Sequence, residues 1–277
     1  MLARLDHFQL MSEAPERLVA FYQDVMNMTS EAIDRDRWLC QGPKRRLLIE
    51  QGGSNTLGFG AYRCETPEDL SALRHRLLKQ EVPLEPSPSP LFSAEAFSFT
   101  DPDGNRLVFG LAGPRPDHSG SVPALAGRLQ HLVVASEDAG SLVRFYSDVV
   151  GLTISDTMLD GEALAACWMR ADEDREHHSF AVFRTAKQGI DHHSYEVGDW
   201  MLIRDWADYL ASKGVKLVWG PGRHGPGNNL FIFVLDPDGN RIELSAELEM
   251  VDPDRPAGIW PKEPDTLNRW GEAFMRS

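Results

Sequence analysis

Residues 236–243 read Asp-Pro-Asp-Gly-Asn-Arg-Ile-Glu, and residues 101–108 read Asp-Pro-Asp-Gly-Asn-Arg-Leu-Val. This composition is typical of a tight turn between two strands, because proline presets φ and Gly-Asn tolerates positive φ. The same turn at two places in one chain indicates a repeated unit that continues on both sides of it.

The repeat extends upstream from each turn. Residues 5–10, Leu-Asp-His-Phe-Gln-Leu, precede Phe-Tyr-Gln-Asp-Val-Met at 21–26, and the second copy has Leu-Gln-His-Leu-Val-Val at 129–134 before Phe-Tyr-Ser-Asp-Val-Val at 145–150. The offset between the copies is 124 residues at the start and 135 at the end, so the second copy is about eleven residues longer. We therefore predict two tandem modules, residues 1–120 and 121–277, joined by a Gly-, Pro- and Ser-rich linker over roughly 110–127.

Each copy is predicted to be a βαβββ unit of an α+β protein, with a mixed sheet curled around a cavity. Residues 5–11 and 129–135 are rich in strand formers, and 15–26 and 138–150 carry apolar residues at helical spacing. Second helices are predicted at 66–80 and 199–213. After residue 250 we expect an irregular tail, rich in Trp and Pro, that packs over the second module.

Composition restricts the class of protein. The chain has 277 residues, 42% of them hydrophobic, which is enough for a substantial core. A net charge of −14 argues against nucleic acid or an anionic membrane as a partner. The cysteines are few, odd in number and without a CxxC pair (Cys40, Cys64 and Cys167), so we expect reduced thiols in a cytoplasmic protein. No signal peptide or membrane span is expected.

Subtracting one copy from the other separates fold from chemistry. Glu243 follows the second turn where the first copy has Val108. The offset of 135 residues matches His193 with Gly58, and His131 alone has a histidine twin, His7. Two imidazoles and one carboxylate form a facial triad that leaves open positions on a divalent metal. The set His131, His193 and Glu243 therefore predicts a metal site in the second module only.

Less specific explanations of these residues remain open. A histidine at the start of an apolar strand can be a hydrogen-bonded core residue, and we expect this of His7. The pair His192-His193 could be ordinary surface polarity. Alternate side chains in a strand point to opposite faces, so at most one histidine of this pair can bind a metal.

The paired modules resemble the vicinal oxygen chelate superfamily, and the second resembles the type I extradiol ring-cleaving dioxygenases. The resemblance rests on His131, His178, the His192-His193-Ser194-Tyr195 stretch, residues 219–225 (Trp-Gly-Pro-Gly-Arg-His-Gly) and residues 236–243. It implies that His131, His193 and Glu243 hold Fe(II), or Mn(II), and that His178 and His224 act as acid and base near the substrate. It further implies dioxygen and a small aromatic diol as substrates, and a homo-oligomeric assembly.

One residue departs from the family pattern. Ten residues before the glutamate the family usually has a tyrosine, and this chain has Phe233. Tyr195, two residues after His193 and thus on the same strand face, is a candidate for the missing phenol. For the substrate pocket we expect aromatic and polar walls (Phe180, Phe233, Trp168 and His192, with Trp200 as a further candidate).

Two alternatives to extradiol ring cleavage remain at this point. One is a metal-dependent lyase or isomerase of the same fold, which needs the metal but not dioxygen. The other is a metal-free protein that binds small molecules, which would leave the coincidence of two histidines and a glutamate unexplained.

Overall fold

The computed structural model describes residues 3–113 and 123–271. The strands are β1 (Ala3–Ser12), β2 (Thr29–Ala32), β3 (Arg37–Gly42), β4 (Arg45–Gln51), β5 (Thr56–Cys64), β6 (Glu85–Pro86), β7 (Phe97–Thr100), β8 (Arg106–Gly110), β9 (Arg128–Ser136), β10 (Leu152–Asp160), β11 (Ala163–Ala171), β12 (Phe180–Arg184), β13 (Gly189–Gly198), β14 (Trp219–Arg223), β15 (Leu230–Leu235), β16 (Arg241–Ala246) and β17 (Gly258–Pro261). The helices are α1 (Pro15–Asp24), α2 (Pro67–Lys79), α3 (Ala139–Arg144), α4 (Trp200–Ser212) and α5 (Pro264–Leu267), and a π-helical turn (Phe145–Val150) continues α3.

Two curled mixed sheets form the frame, as predicted for an α+β fold. The first has the order β2-β3-β4-β1-β5-β8-β7-β6, and the second has the order β14-β15-β16-β13-β9-β12-β11-β10-β17. Each sheet contains two βαβββ units rather than the one expected per copy, because β5 and β13 each begin another such unit. Antiparallel pairing of β1 with β5, and of β9 with β13, joins the two units within each sheet.

Helices α1, α2 and α4, and α3 with its π-helical continuation, lie within the predicted ranges. The side chain of Thr66 accepts a hydrogen bond from the Asp69 amide at the start of α2, and Asp199 does the same for Leu202 at the start of α4. Gly151 ends the π-helical turn with φ of 96°, a left-handed conformation that glycine adopts without strain.

The hydrophobic core runs from one module into the other. A single cluster of buried residues includes Phe8 and Tyr22 of the first module and Phe180 and Tyr146 of the second. On its other face, the first sheet holds a separate apolar cluster that contains Leu48, Phe59 and Val108. Apolar side chains therefore pack on this face of the first sheet together with His7, whose ring centroid lies 5.8 Å from that of Phe59.

The tail, predicted to be irregular, contains a strand and a short helix. β17 extends the second sheet by parallel pairing with β10, and it aligns Asp156 with Gly258. Backbone hydrogen bonds from the Gly225 amide to Thr266, and from the Arg269 amide to Arg223, attach the rest of the tail to the loop around residue 224.

The predicted module boundary at residue 120 and half of the 110–127 linker lie outside the described residues. The boundary therefore stays a prediction. Within the described part of the chain, no helix is long and apolar enough to cross a membrane.

Candidate metal centre and active site

The candidate metal centre lies where three strands of the second sheet run side by side. Ser194 in β13 is aligned with His131 in β9 and with Glu243 in β16. Aligned residues of neighbouring strands point to the same face, and so does the residue two positions away along a strand. His131, Glu243 and His192 consequently share one face of the sheet.

The three side chains converge in a buried cluster. His131 Nε2 lies 2.8 Å from Glu243 Oε2, and His192 Nε2 lies 3.4 Å from the same oxygen. One ligand atom from each residue lies within 4.8 Å of the other two. Two donors about 2.1 Å from one metal and at right angles to each other are roughly 3 Å apart, so these separations fit a single ion.

The prediction that His193 completes this set is wrong. His193 points to the opposite face of β13, where its ring centroid lies 4.6 Å from that of Phe8 and its Nε2 lies 3.2 Å from Tyr22 Oη. The assignment of His193 came from the family resemblance, and the offset of 135 residues could not correct it. In the first sheet Ala61 is aligned with both His7 and Val108, so Ala61 is the counterpart of Ser194 and the offset at this strand is 133 residues, not 135. Phe59 is then the counterpart of His192.

Two other predicted site residues, like His193, lie on the core side of the sheet. Tyr195 is fully buried beside His193, with the Arg45 guanidinium 5.9 Å from its ring centroid, and it cannot reach the metal centre. Phe180 is aligned with Leu132 and packs on Tyr146, with ring centroids 4.4 Å apart, so it does not line the pocket.

Of the remaining aromatic residues predicted to line the substrate pocket, two line it and one does not. Trp168 and Phe233 line the pocket together with the triad, as expected. Phe233 is aligned with Glu243, so its ring faces the metal centre. Trp200 is 41% exposed and packs on Trp270, with ring centroids 5.5 Å apart, and it is not among the pocket residues.

Further side chains complete the walls of the pocket and were not found from the sequence. They come from strands β10 to β14, from the residue after β12 and from the tail (Met158, Ala165, Phe183, Arg184, Thr185, Asp191, Trp219, Lys262 and Leu267). The alternation of apolar residues in these strands separates the two faces of the sheet, but it does not indicate which face borders a pocket. The tail residues carried no signal, because their position depends on the pairing of β17 with β10.

Hydrogen bonds orient the candidate ligands. His192 Nδ1 lies 2.5 Å from Asp191 Oδ1, so the N–H of that nitrogen donates to the carboxylate and Nε2 is left for a metal. The side-chain amide of Asn229 donates to Glu243 Oε1 at 3.0 Å and to Ser245 Oγ at 2.9 Å. Asp191 and Asn229 thus orient His192 and Glu243 by hydrogen bonds without themselves contacting the metal.

The charge states suit a divalent cation. Burial lowers the pKa of His131 more than the nearby Glu243 carboxylate raises it, so the imidazole is neutral at pH 7. Burial raises the pKa of Glu243, but the adjacent His131, His192 and His224 outweigh it and hold the pKa well below its usual range. Neutral imidazole and ionised carboxylate are the forms that bind metals.

The two histidines expected to act as acid and base both border the pocket. The ring centroid of His178 lies 4.4 Å from that of His131. His224 Nε2 lies 3.4 Å from Glu243 Oε1, and its Nδ1 lies 2.5 Å from the Leu267 carbonyl oxygen of the tail. Because a carbonyl only accepts, Nδ1 of His224 donates to it, and Nε2 faces the cluster.

The described residues therefore fit a resident divalent metal. His131, His192 and Glu243 supply two nitrogens and one oxygen on one face, the pattern typical of non-haem Fe(II) sites with open positions. The apolar walls would exclude water from the remaining positions.

Comparison with known proteins agrees with the duplicated architecture. The model of the Glyoxalase/Bleomycin resistance protein/Dioxygenase superfamily matches residues 4–109 and again residues 128–244. These two matches cover more than half of the chain, and the protein belongs to this superfamily.

Individual relatives extend over most of the chain. Metapyrocatechase 2 of Cupriavidus necator is 28% identical over 99% of this chain and 91% of its own length. An iron-dependent extradiol dioxygenase of Rhodococcus jostii is 25% identical over 83% of this chain and 82% of its own. Among solved structures, a variant of homoprotocatechuate 2,3-dioxygenase from B. fuscum superposes with a TM-score of 0.84 over 96% of this chain and 78% of that one. At 22% identity, this likeness shows the fold alone.

Proposed function

We propose that the protein is an extradiol dioxygenase that cleaves the ring of a catechol-type aromatic diol with dioxygen at a non-haem Fe(II) centre. The observation that carries the proposal is the buried cluster of His131, His192 and Glu243 at the floor of a pocket bordered by His178 and His224. The similarity to metapyrocatechase 2 and to an iron-dependent extradiol dioxygenase supports the same reaction.

In this proposal His131, His192 and Glu243 hold Fe(II), with Mn(II) as the alternative ion. When bound, the metal supplies open coordination positions and the redox chemistry that allows a closed-shell diol to react with dioxygen. Two neutral imidazoles and one carboxylate leave a net charge of about +1 on such a centre, which favours an anionic diol.

The protein residues bind and orient the ring and move protons. The planar walls formed by Trp168, Trp219 and Phe233 suit a flat aromatic substrate and exclude water. Burial, with the neighbouring His131 and His177, lowers the pKa of His178 well below its usual range, so it is neutral and can accept a proton from a substrate hydroxyl. His224 Nε2 supplies a second acid–base group on the Glu243 side of the pocket.

The experiment is oxygen uptake with a panel of catechols after anaerobic purification with Fe(II). Oxygen consumption together with a yellow ring-opened product would support the proposal and rank the substrates. Bound iron without uptake on any diol would contradict ring cleavage.

A metal-dependent lyase or isomerase remains the second candidate because of Phe233. This residue faces Glu243 but has no hydroxyl to exchange a proton with the substrate. Such an enzyme would lose activity with a chelator but not on exclusion of air, whereas a dioxygenase requires both metal and dioxygen.

The proposal includes two further expectations. The protein is a cytoplasmic enzyme, in keeping with its free buried cysteines (Cys40, Cys64 and Cys167). It forms a homo-oligomer, which size-exclusion chromatography with light scattering would test.

A further inference from the structure

Asp156 is a buried carboxylate that the proposed reaction does not use. It lies in β10, is 2% exposed, and receives several hydrogen bonds from the tail. The Arg255 guanidinium and the Gly258 amide each donate to Oδ1 at 3.0 Å, and the Trp260 indole N–H donates to Oδ2 at 2.8 Å. The same Oδ2 lies 3.0 Å from Nε2 of His177.

His177 connects this carboxylate to the active site. Its side chain is fully buried, and its Nδ1 lies 2.9 Å from Nδ1 of His178, which borders the pocket beside His131. Asp156 is thus in ion-pair contact with His177, which hydrogen-bonds to His178 at the border of the pocket. Among the described residues, His177 is the hydrogen-bond partner of Nδ1 of His178.

The Asp156 carboxylate favours one tautomer of His177, and His177 in turn favours one tautomer of His178. Burial raises the pKa of Asp156, but His177, Trp260 and Arg255 together outweigh it and lower the pKa to about 2, so the group is a carboxylate at pH 7. A carboxylate only accepts, which favours the proton on Nε2 of His177. In that tautomer His177 presents a lone pair at Nδ1 to His178. Because one of the two facing nitrogens must carry the hydrogen, His178 donates from its own Nδ1 and keeps an unprotonated Nε2.

We infer that Asp156 and His177 are positioning residues that fix His178 as the tautomer with its lone pair on Nε2. The inference rests on the proposed function, in which His178 takes a proton from a substrate hydroxyl. The proton moves from the diol oxygen to Nε2, and the Nδ1–H of the resulting imidazolium continues to donate to His177. The Asp156 carboxylate stabilises the added positive charge, and the proton returns to the product.

Asp156 also attaches the tail, so the test must separate positioning from anchoring. Asp156→Asn keeps the size of the side chain but places an N–H₂ donor or a weaker acceptor opposite His177. This change favours the reversed tautomer of His177, which would donate from Nδ1 and force the hydrogen of His178 onto Nε2. Arg255→Met removes a tail contact and leaves the carboxylate, and it is the matched control.

The direct readout is a long-range ¹H–¹⁵N spectrum of the full-length protein with ¹⁵N-labelled histidine and diamagnetic Zn(II) in the site. The signals of His178 are assigned by their loss in His178→Gln. We expect the Nδ1–H tautomer in the wild type and in Arg255→Met, and the Nε2–H tautomer in Asp156→Asn. A wild-type Nε2–H tautomer, or the same tautomer in Asp156→Asn as in the wild type, would overturn the inference.

Kinetics of the Fe(II) enzyme give the second readout. Asp156→Asn should lower kcat about tenfold or more with little change in KM, the scale expected for a disturbed acid–base group, and Arg255→Met should lower it far less. Equal losses in both variants would indicate a tail anchor and contradict the positioning role. If the wild type turned over no diol, the proposed function would fail, but the tautomer measurement would still decide the arrangement of the three residues.

Discussion

His192 and His193 are adjacent in β13 and serve opposite faces of the same sheet. His192 Nε2 lies 3.4 Å from the Glu243 carboxylate in the pocket, whereas His193 Nε2 lies 3.2 Å from Tyr22 Oη in the core between the modules. One face of the strand therefore contributes to the candidate metal centre, and the other face packs against the first module.

Replacement of His192 should abolish metal binding and leave the fold intact. His192→Ala removes one of three donors and leaves Glu243 and His131 in place, so we expect iron content to fall to background after gel filtration. Elemental analysis measures the metal, and circular dichroism measures the fold.

His193→Asn is the matched control. It removes a buried ring that packs on Phe8, so the free energy of unfolding should fall by about 1–3 kcal/mol while iron is retained. Iron loss in His193→Asn, with retention in His192→Ala, would contradict the assignment made from the strand register.

The sequence predicted most of the fold, because the duplication and the periodicity of apolar residues can both be recognised without knowing the tertiary contacts. His131 and Glu243 were placed correctly on the pocket face, since each lies close to an anchor of the repeat. The choice between His192 and His193 failed because it rested on the family resemblance, which does not give the register of β13 in this chain. A shift of one residue along a strand reverses its face, and only the aligned position of Ser194 determines the register.

The residues around the triad were less predictable for a different reason. Asp156, His177 and the Leu267 carbonyl depend on where the tail returns to the sheet, and no local pattern encodes that return. The assignments of His178 and His224 came from resemblance to a family and stay proposals.

His224→Phe should separate metal binding from turnover. The phenyl ring can keep the stacking on Phe231, whose centroid lies 3.9 Å from that of His224, but it cannot accept a proton. We expect iron content to be unchanged and kcat to fall at least tenfold, on the scale of a positioned acid–base group. Unchanged turnover on the preferred diol would exclude a role for His224 in proton transfer.

Removal of the tail should lower turnover without releasing the metal. A chain ending at Arg255 lacks the Leu267 carbonyl that accepts from His224 Nδ1, but it keeps all three candidate ligands. We expect near-normal iron content and a kcat reduced about tenfold or more. Ile259→Ser is the control, because Ile259 is 73% exposed and should alter neither quantity. Loss of iron on truncation would instead make the tail part of the metal centre.

Phe233→Tyr should add a proton donor at the position where the family resemblance implies a tyrosine. The ring faces Glu243 and packs against Trp219, with centroids 5.2 Å apart, so the new hydroxyl projects from a ring already held in place. We expect retained iron and a several-fold higher kcat on the preferred diol, measured by oxygen uptake. A fall in kcat, with the product unchanged, would show that this pocket is adapted to the phenyl ring.

Asp6 should account for part of the acid sensitivity of the first module. Burial raises its pKa, but contacts with His7 and Arg46 outweigh this and lower it to about 2. Since the folded pKa lies below the unfolded value near 3.9, Asp6 stabilises the fold above about pH 4, and this stabilisation is lost as pH falls toward 2.

Asp6→Asn should therefore reduce the free energy of unfolding by about 2 kcal/mol or more at pH 7, and the difference from wild type should shrink as pH falls from 4 toward 2. Urea unfolding at several pH values measures this. Asp36→Asn, which removes an exposed carboxylate 4.0 Å from Arg35, should change the free energy of unfolding by less than about 0.5 kcal/mol. A difference for Asp6→Asn that stayed constant from pH 7 to pH 3 and below would mean that the Asp6 carboxylate is not what the mutation removes, and the loss would then lie in packing around Arg46 and His7.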